Sequence, residues 1–366
     1  MLAEIKTDAA KQDVCLVFIN SDSGEGHVIW SGMAGDRTDL YSQLGGDKLV
    51  LAVADGCRNT IVIVHSVGPI ILEKWIEHRN VRAVVWANLP GQESGNALVD
   101  ILYGTVNPSG KLTYTIGRRP EDYGPTAVVL NTTNATVPQQ DFTEGLYIDY
   151  RHFDKAKIRP RFEFGFGMSY TNYNYSGIRV QGGPRTPLPP PRPPPPVSPP
   201  KYGSIAPKVS EVLYPPGFTK VNRMIYPYLD STNLTYGPYP YPEGYNTSAT
   251  PSEAGGGEGG NPALWEELYQ VTVDVTNTGP TAGAEVVQLY VSFPSEKTID
   301  FPVRQLRGFE KVWLEPKQTK AVTFSLKRRD LSYWDVVRQN WVIPDSRIKV
   351  SVGASSRKLY QFATLS

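Results

Sequence analysis

The chain has 366 residues, a formal net charge of +1 and 20% charged residues, with 37 Lys plus Arg against 36 Asp plus Glu. That length accommodates about two domains with separate cores, and a balanced charge without a basic stripe argues against a nucleic-acid partner. No apolar stretch approaches the roughly 20 residues that span a bilayer, which argues against a membrane protein, and the opening MLAEIKTDAAKQDV has no signal-peptide core.

Residues 1–13 read as an N-terminal remnant ahead of the first apolar run, Val14 to Ile19 (VCLVFI), which predicts a buried strand covered on both faces. Asp47 to Ala54 predicts a helix, Thr60 to His65 (TIVIVH) a second strand, Leu72 to Glu77 a short helix and Val81 to Trp86 a third strand. Glu93 to Tyr103 predicts an amphipathic helix with Leu98, Ile101 and Leu102 on one side; its GQESG start at 91–95 reads as an ordinary helix start rather than an anion site. The alternation implies an α/β sandwich, mainly a parallel sheet with helices on both faces, assigned with its trailing segment to 14–176.

Residues 177–264 read as a Pro-, Gly- and Tyr-rich insertion or linker. PRTPLPPPRPPPPVSPP (184–200) should be extended polyproline II, a stiff spacer in preference to an SH3 or WW ligand. From Trp265 the period becomes two: Tyr269, Val271, Val273 and Val275 alternate with polar residues, and strand-like runs recur at 286–291, 321–326 and 348–352. This predicts an all-β, immunoglobulin-like sandwich over 265–366.

Cys15 and Cys57 sit beside apolar runs and read as buried thiols, and no Cys/His cluster has zinc spacing. Sequons at Asn131, Asn134, Asn174, Asn233 and Asn246 predict N-glycosylation and secretion. With no leader visible, secretion requires that residue 1 is not the natural start; the alternative is a cytoplasmic protein with idle sequons.

No GxSxG elbow, phosphate loop or HExxH pair occurs. Asn20-Ser21-Asp22-Ser23-Gly24-Glu25-Gly26-His27 follows the first strand directly, where open α/β sheets bind ligands. Glycines flanking Glu25 permit a tight loop presenting one carboxyl group, a general acid if apolar surroundings raise its pKa. On the residues alone, a polar turn with an exposed glutamate accounts for the segment equally well.

VCLVFINSDSGEG resembles the acid/base loop of fungal glycoside hydrolase family 3 β-glucosidases. TIVIVHSVGPIILEKW (60–75), VVWANLPGQESGNALVDILYGTVNPSGKL (84–112) and EGLYIDYRHFDKAKIRPRFEFGFGMSY (144–170) extend the likeness. VTVDVTNTGPTAGAEVVQLYVS (271–292), FPVRQLRGFEKVWL (301–314) and DLSYWD (330–335) resemble the fibronectin type III-like domain that closes many members. The resemblance implies retaining hydrolysis of β-glucosides or cello-oligosaccharides without a cofactor or metal. It assigns Glu25 as general acid/base and His27, where the family usually has an aromatic residue, to the aglycone side. It also implies that the nucleophile comes from a barrel domain in cis or in trans, so the isolated chain should be inactive or nearly so. Without that barrel, Val28, Ile29, Trp30 and Met33 should form a self-associating surface. The alternative is a non-catalytic glycan-binding or structural protein derived from such an enzyme.

Overall fold

The structure, a computed structural model, describes residues 2–24, 37–124, 141–183, 188–189, 260–294, 299–345 and 347–365, and the backbone alone at 29–30 and 33–34. Contacts divide it into two compact units: Met1–Pro187 with Trp265–Tyr333 and Val342–Ser366, and Leu188–Leu264 with Trp334–Trp341. In the second unit the Asn261 amide donates to Pro189 O at 2.6 Å, and the Trp334 and Trp341 rings meet edge to face at 5.7 Å. The expected polyproline run lies almost wholly outside the described residues, as does Val28 and the side chains of Ile29, Trp30 and Met33.

The first unit opens with α1 (Leu2–Ala9), β1 (Cys15–Ser21), the short strands β2 (Ile29–Trp30) and β3 (Met33–Ala34), and α2 (Gly46–Gly56). β4 (Thr60–Ser66), β5 (Val81–Trp86), α3 (Ser94–Leu102) and α4 (Tyr150–Lys155) follow. β1, β4 and β5 form a parallel sheet in that order, with Cys15 opposite Thr60 and Val62 opposite Val84. Val17, Ile19, Val62 and Val64 pack with Val50 and Val53 of α2, Ala9 of α1 and Trp75 in one core. Each such aliphatic side chain contributes about 1.5–3 kcal/mol by leaving water.

Three readings of this region need correction. Residues 1–13 are more than a remnant: α1 packs on α2, and a Cβ on Gly56 would come within 2.4 Å of Lys6 O. β1 is not covered on both faces: Leu16 is 45% and Phe18 50% exposed, because α1 and α2 share one side and no residue of α3 is buried. Leu72 to Glu77 is a turn rather than a helix. Trp75 N and Ile76 N both donate to Leu72 O, and β5 begins too soon for further helical turns.

The sandwich comprises β6 (Tyr173–Gly182), β7 (Glu267–Asn277), β8 (Gly283–Ser292), β9 (Gln305–Leu314), β10 (Thr319–Lys327), β13 (Ile348–Gly353) and β14 (Leu359–Leu365), while β11 (Tyr333–Asp335) and β12 (Asn340–Val342) pair as a separate two-stranded sheet that lies mostly in the second unit. Its two main antiparallel sheets run β10-β7-β6 and β14-β13-β8-β9. Tyr269, Val271, Val273 and Val275 face the core, as the alternation predicts. β6 cuts across the boundary expected at 176/177: it pairs with β7 from Tyr173 opposite Asn277 to Gly182 opposite Tyr269, so it belongs to the sandwich. A register shift after Ser176, at Gly177 with φ +61°, reverses the phase, so Tyr173 and Tyr175 face the core before it and Ile178 and Val180 after it.

Residues 144–170 strap the α/β layer to the sandwich. Tyr150 Oη accepts from Leu306 N at 3.0 Å, and Asp154 lies between Arg304 at 3.2 Å and Arg357 at 3.1 Å. Gln288 Nε2 donates to Gly165 O at 3.1 Å. Beside the strap, Lys111 meets buried Glu285 at 3.2 Å, and Tyr175 Oη donates to the same carboxylate at 2.8 Å.

Candidate active site

The carboxyl ends of β1, β4 and β5 carry a polar crown, which the crossover connections of a parallel sheet leave open on that edge. β1 ends at Ser21, and Asp22-Ser23-Gly24 lead into a hairpin whose ladder pairs Ile29 with Ala34 and Trp30 with Met33. The chain returns to the sheet at Arg37, whose backbone N–H donates to Ser23 Oγ at 3.1 Å. Arg37 Nη1 donates to Ser21 Oγ at 3.3 Å and to Pro69 O, in the turn after β4, at 3.0 Å. Gln43 holds Asp22 from the other side, accepting from its N–H at 3.0 Å and donating to its carbonyl at 2.9 Å.

Around this clasp the turns are themselves braced. Ser66 Oγ donates to Gly68 O at 2.7 Å, and Val67 N donates to Ser21 O at 3.0 Å. At the end of β5, Trp86 Nε1 donates to Tyr114 Oη at 2.6 Å, which donates to Asn88 Oδ1 at 3.1 Å. Burial pushes the Tyr114 phenol up, so it stays a neutral donor. Burial also lowers the Arg37 guanidinium, while Tyr123, Tyr114 and Asp39 pull it back up. It remains charged throughout the physiological range.

A second node orients the segment after the hairpin. Asp47, in the first turn of α2, accepts from Ser42 Oγ at 2.8 Å, Trp75 Nε1 at 3.0 Å and Lys74 Nζ at 2.9 Å. Lys74 also sits 4.0 Å from the Tyr41 ring centroid. An acidic group at a helix start is favoured by the helix dipole.

Of the residues singled out from sequence, Glu25 and His27 lie outside the described residues, as do Asn131, Asn134, Asn233 and Asn246. Asn174 is exposed on β6. GQESG leads into α3, where Glu93 accepts from Asn96 Nδ2. Arg37, Gln43 and Asp47 carry no sequence motif, because most of their partners, such as Ser21, Pro69, Asp22 and Trp75, are distant in sequence. The one local signal is an arginine closing a glycine-bearing hairpin.

Fold and crown together define a parallel α/β layer joined to a fibronectin-like sandwich, with its candidate site at the carboxyl edge of the parallel sheet. Residues 1–170 match the Glycosyl hydrolase family 3 C-terminal domain, and residues 285–356 match the Fibronectin type III-like domain. The chain therefore carries the C-terminal domain of glycosyl hydrolase family 3 together with a fibronectin type III-like domain. It is 50% identical over 370 residues to probable beta-glucosidase E of Aspergillus fumigatus, and 48% identical over 392 residues to that of Neosartorya fischeri. Both alignments cover 98% of this chain but only 35% and 37% of those relatives. The solved Chaetomium thermophilum beta-glucosidase superposes with a TM-score of 0.83 at 42% identity, covering 100% of this chain and 45% of that one. The Beta-D-glucoside glucohydrolase of Trichoderma reesei gives 0.76 at 40% identity, covering 100% and 42%.

Proposed function

We propose that the chain forms the acid/base half of a retaining β-glucosidase acting on β-glucosides and short cello-oligosaccharides. The observation that carries this reading is the loop that bears Glu25, which leaves the carboxyl edge of the parallel sheet between two clasped ends, Ser23 and Arg37. Relatives named beta-glucosidase match it over nearly its whole length.

In this reading Glu25 protonates the glycosidic oxygen as the bond to the sugar breaks, then takes a proton from the water that releases it. A second carboxylate about 5–5.5 Å away must form the glucosyl intermediate. That nucleophile, and most contacts to the glucose, would come from a barrel domain beyond these residues. General acid assistance alone contributes about 10²–10⁴-fold, so the chain by itself should show little or no turnover. His27 would line the aglycone side, offering a hydrogen bond where an aromatic ring would stack. Secretion, with glycans at Asn131, Asn134, Asn174, Asn233 and Asn246, is part of the same reading; the exposure of Asn174 supports it at one position.

The test joins the chain to the N-terminal portion of beta-glucosidase E from Aspergillus fumigatus. The fused enzyme should hydrolyse cellobiose and p-nitrophenyl β-glucoside while the chain alone does not. Retention of cello-oligosaccharides by the chain, with no hydrolysis by the fused enzyme, would instead favour a non-catalytic glycan-binding protein.

A further inference from the structure

The clasp at the base of the Glu25 loop is built on an arginine. Arg161, Arg179 and Arg119 each meet a carboxylate: Glu73, Asp274 and Asp122. Arg37 forms no ion pair among the described residues, and its guanidinium binds the neutral oxygens of Ser21 and Pro69. Among the described residues no carboxylate pairs with it directly and Asp39 acts only at longer range, and holding a partly buried cation that way costs free energy that a neutral side chain would avoid. The guanidinium fork gives something in exchange. It joins the end of β1 to the turn after β4, while the Arg37 backbone closes the hairpin on Ser23. The turn presses against it, since a Cβ on Gly68 would lie 3.0 Å from Arg37 Nη2. Gln43 fixes both backbone groups of Asp22 from the opposite side. Rotation or sliding of the loop base would break all of these bonds together.

We propose that Arg37, supported by Gln43, is a positioning residue that sets where the Glu25 loop stands on the sheet; its catalytic consequence rests on the acid/base reading of Glu25. Arg37 does not donate the proton. It fixes the backbone on both sides of the residue that does, and a displacement of about 1 Å in such a group costs on the order of 10²-fold in rate.

The clasp is tested first without catalysis, by hydrogen–deuterium exchange on the full chain. Arg37→Ala should speed exchange of the 24–36 amides at least ~10-fold, an opening that one or two lost hydrogen bonds permit, with the 60–66 strand unchanged. Arg37→Lys, which keeps one donor, should recover part of the protection. Equal exchange in wild type and Arg37→Ala would overturn the proposal. If Arg37→Ala does not fold, Ser23→Ala removes one arm of the clasp and carries the same expectation. In the fused enzyme, Arg37→Ala should lower kcat for alkyl β-glucosides, whose poor leaving group needs protonation, by on the order of 10²-fold. The kcat/KM for dinitrophenyl glucoside, which reports formation of the glucosyl intermediate with a leaving group that needs no proton, should stay near wild type. Glu25→Gln run in parallel separates the two ideas. If it shows no leaving-group dependence, the acid/base reading fails while the exchange result still judges the clasp; if it shows that dependence and Arg37→Ala does not, the positioning role is refuted.

Discussion

Lys111→Met would remove the cation from the contact between the α/β layer and the sandwich. The Lys111 and Glu285 side chains are only 11% and 5% exposed, with nitrogen and oxygen 3.2 Å apart. Tyr175 Oη donates to the same carboxylate at 2.8 Å, and burial together with the Glu285 charge pushes its phenol up, so Tyr175 stays a neutral donor. Methionine fills most of the lysine stem's volume, so the loss is chiefly the uncompensated charge, about 3–5 kcal/mol by the behaviour of broken buried pairs. Urea unfolding at neutral pH reads this loss directly, and adding Glu285→Gln to Lys111→Met should recover much of it. A Lys111→Met penalty under about 1 kcal/mol would refute the reasoning.

Asn277→Ala should cost about 2–4 kcal/mol in chemical denaturation. The buried amide donates to Thr281 O and Leu314 O and accepts from Thr171 Oγ1, and all three would lose it. Gly165→Ala should destabilise by at least about 1 kcal/mol, since φ is +78° and the new Cβ would meet Gln288 Oε1 at 2.2 Å; an unchanged melting temperature would count against it. Burial holds Asp154 above the usual carboxylate range against the pull of Arg304 and Arg357. Its folded value thus exceeds the unfolded one, so its contribution is present below about pH 4 and lost as pH rises through the folded value. Asp154→Asn should flatten that part of the stability–pH curve, and an unaltered slope would contradict the assignment.

Much of the fold is legible in residue patterns. The alternation from Tyr269 to Val275 predicts a strand with one buried face, and these side chains form it. The buried run at Thr60 to His65 likewise predicts β4, where Val62, Ile63 and Val64 are fully buried. β6 escapes the same reasoning because its register shift at Gly177 changes which parity is apolar. The open face of β1 is illegible for another reason: Leu16 and Phe18 look like core residues whether or not anything covers them. At the candidate site, the position of Glu25 after a buried strand and between glycines is a local signal. Arg37 and Gln43 are not readable this way, since Pro69 and Asp22 meet them only once the sheet has formed.

The central claim is that Glu25 supplies the acid and base of glucoside hydrolysis. It is tested most directly by Glu25→Ala in the fused enzyme, with alkyl and dinitrophenyl glucosides compared in the presence and absence of azide. The account predicts a loss of about 10²–10⁴-fold on alkyl glucosides, with faster turnover of dinitrophenyl glucoside when azide is added and β-glucosyl azide as the product. Wild-type rates on alkyl glucosides in Glu25→Ala would contradict it.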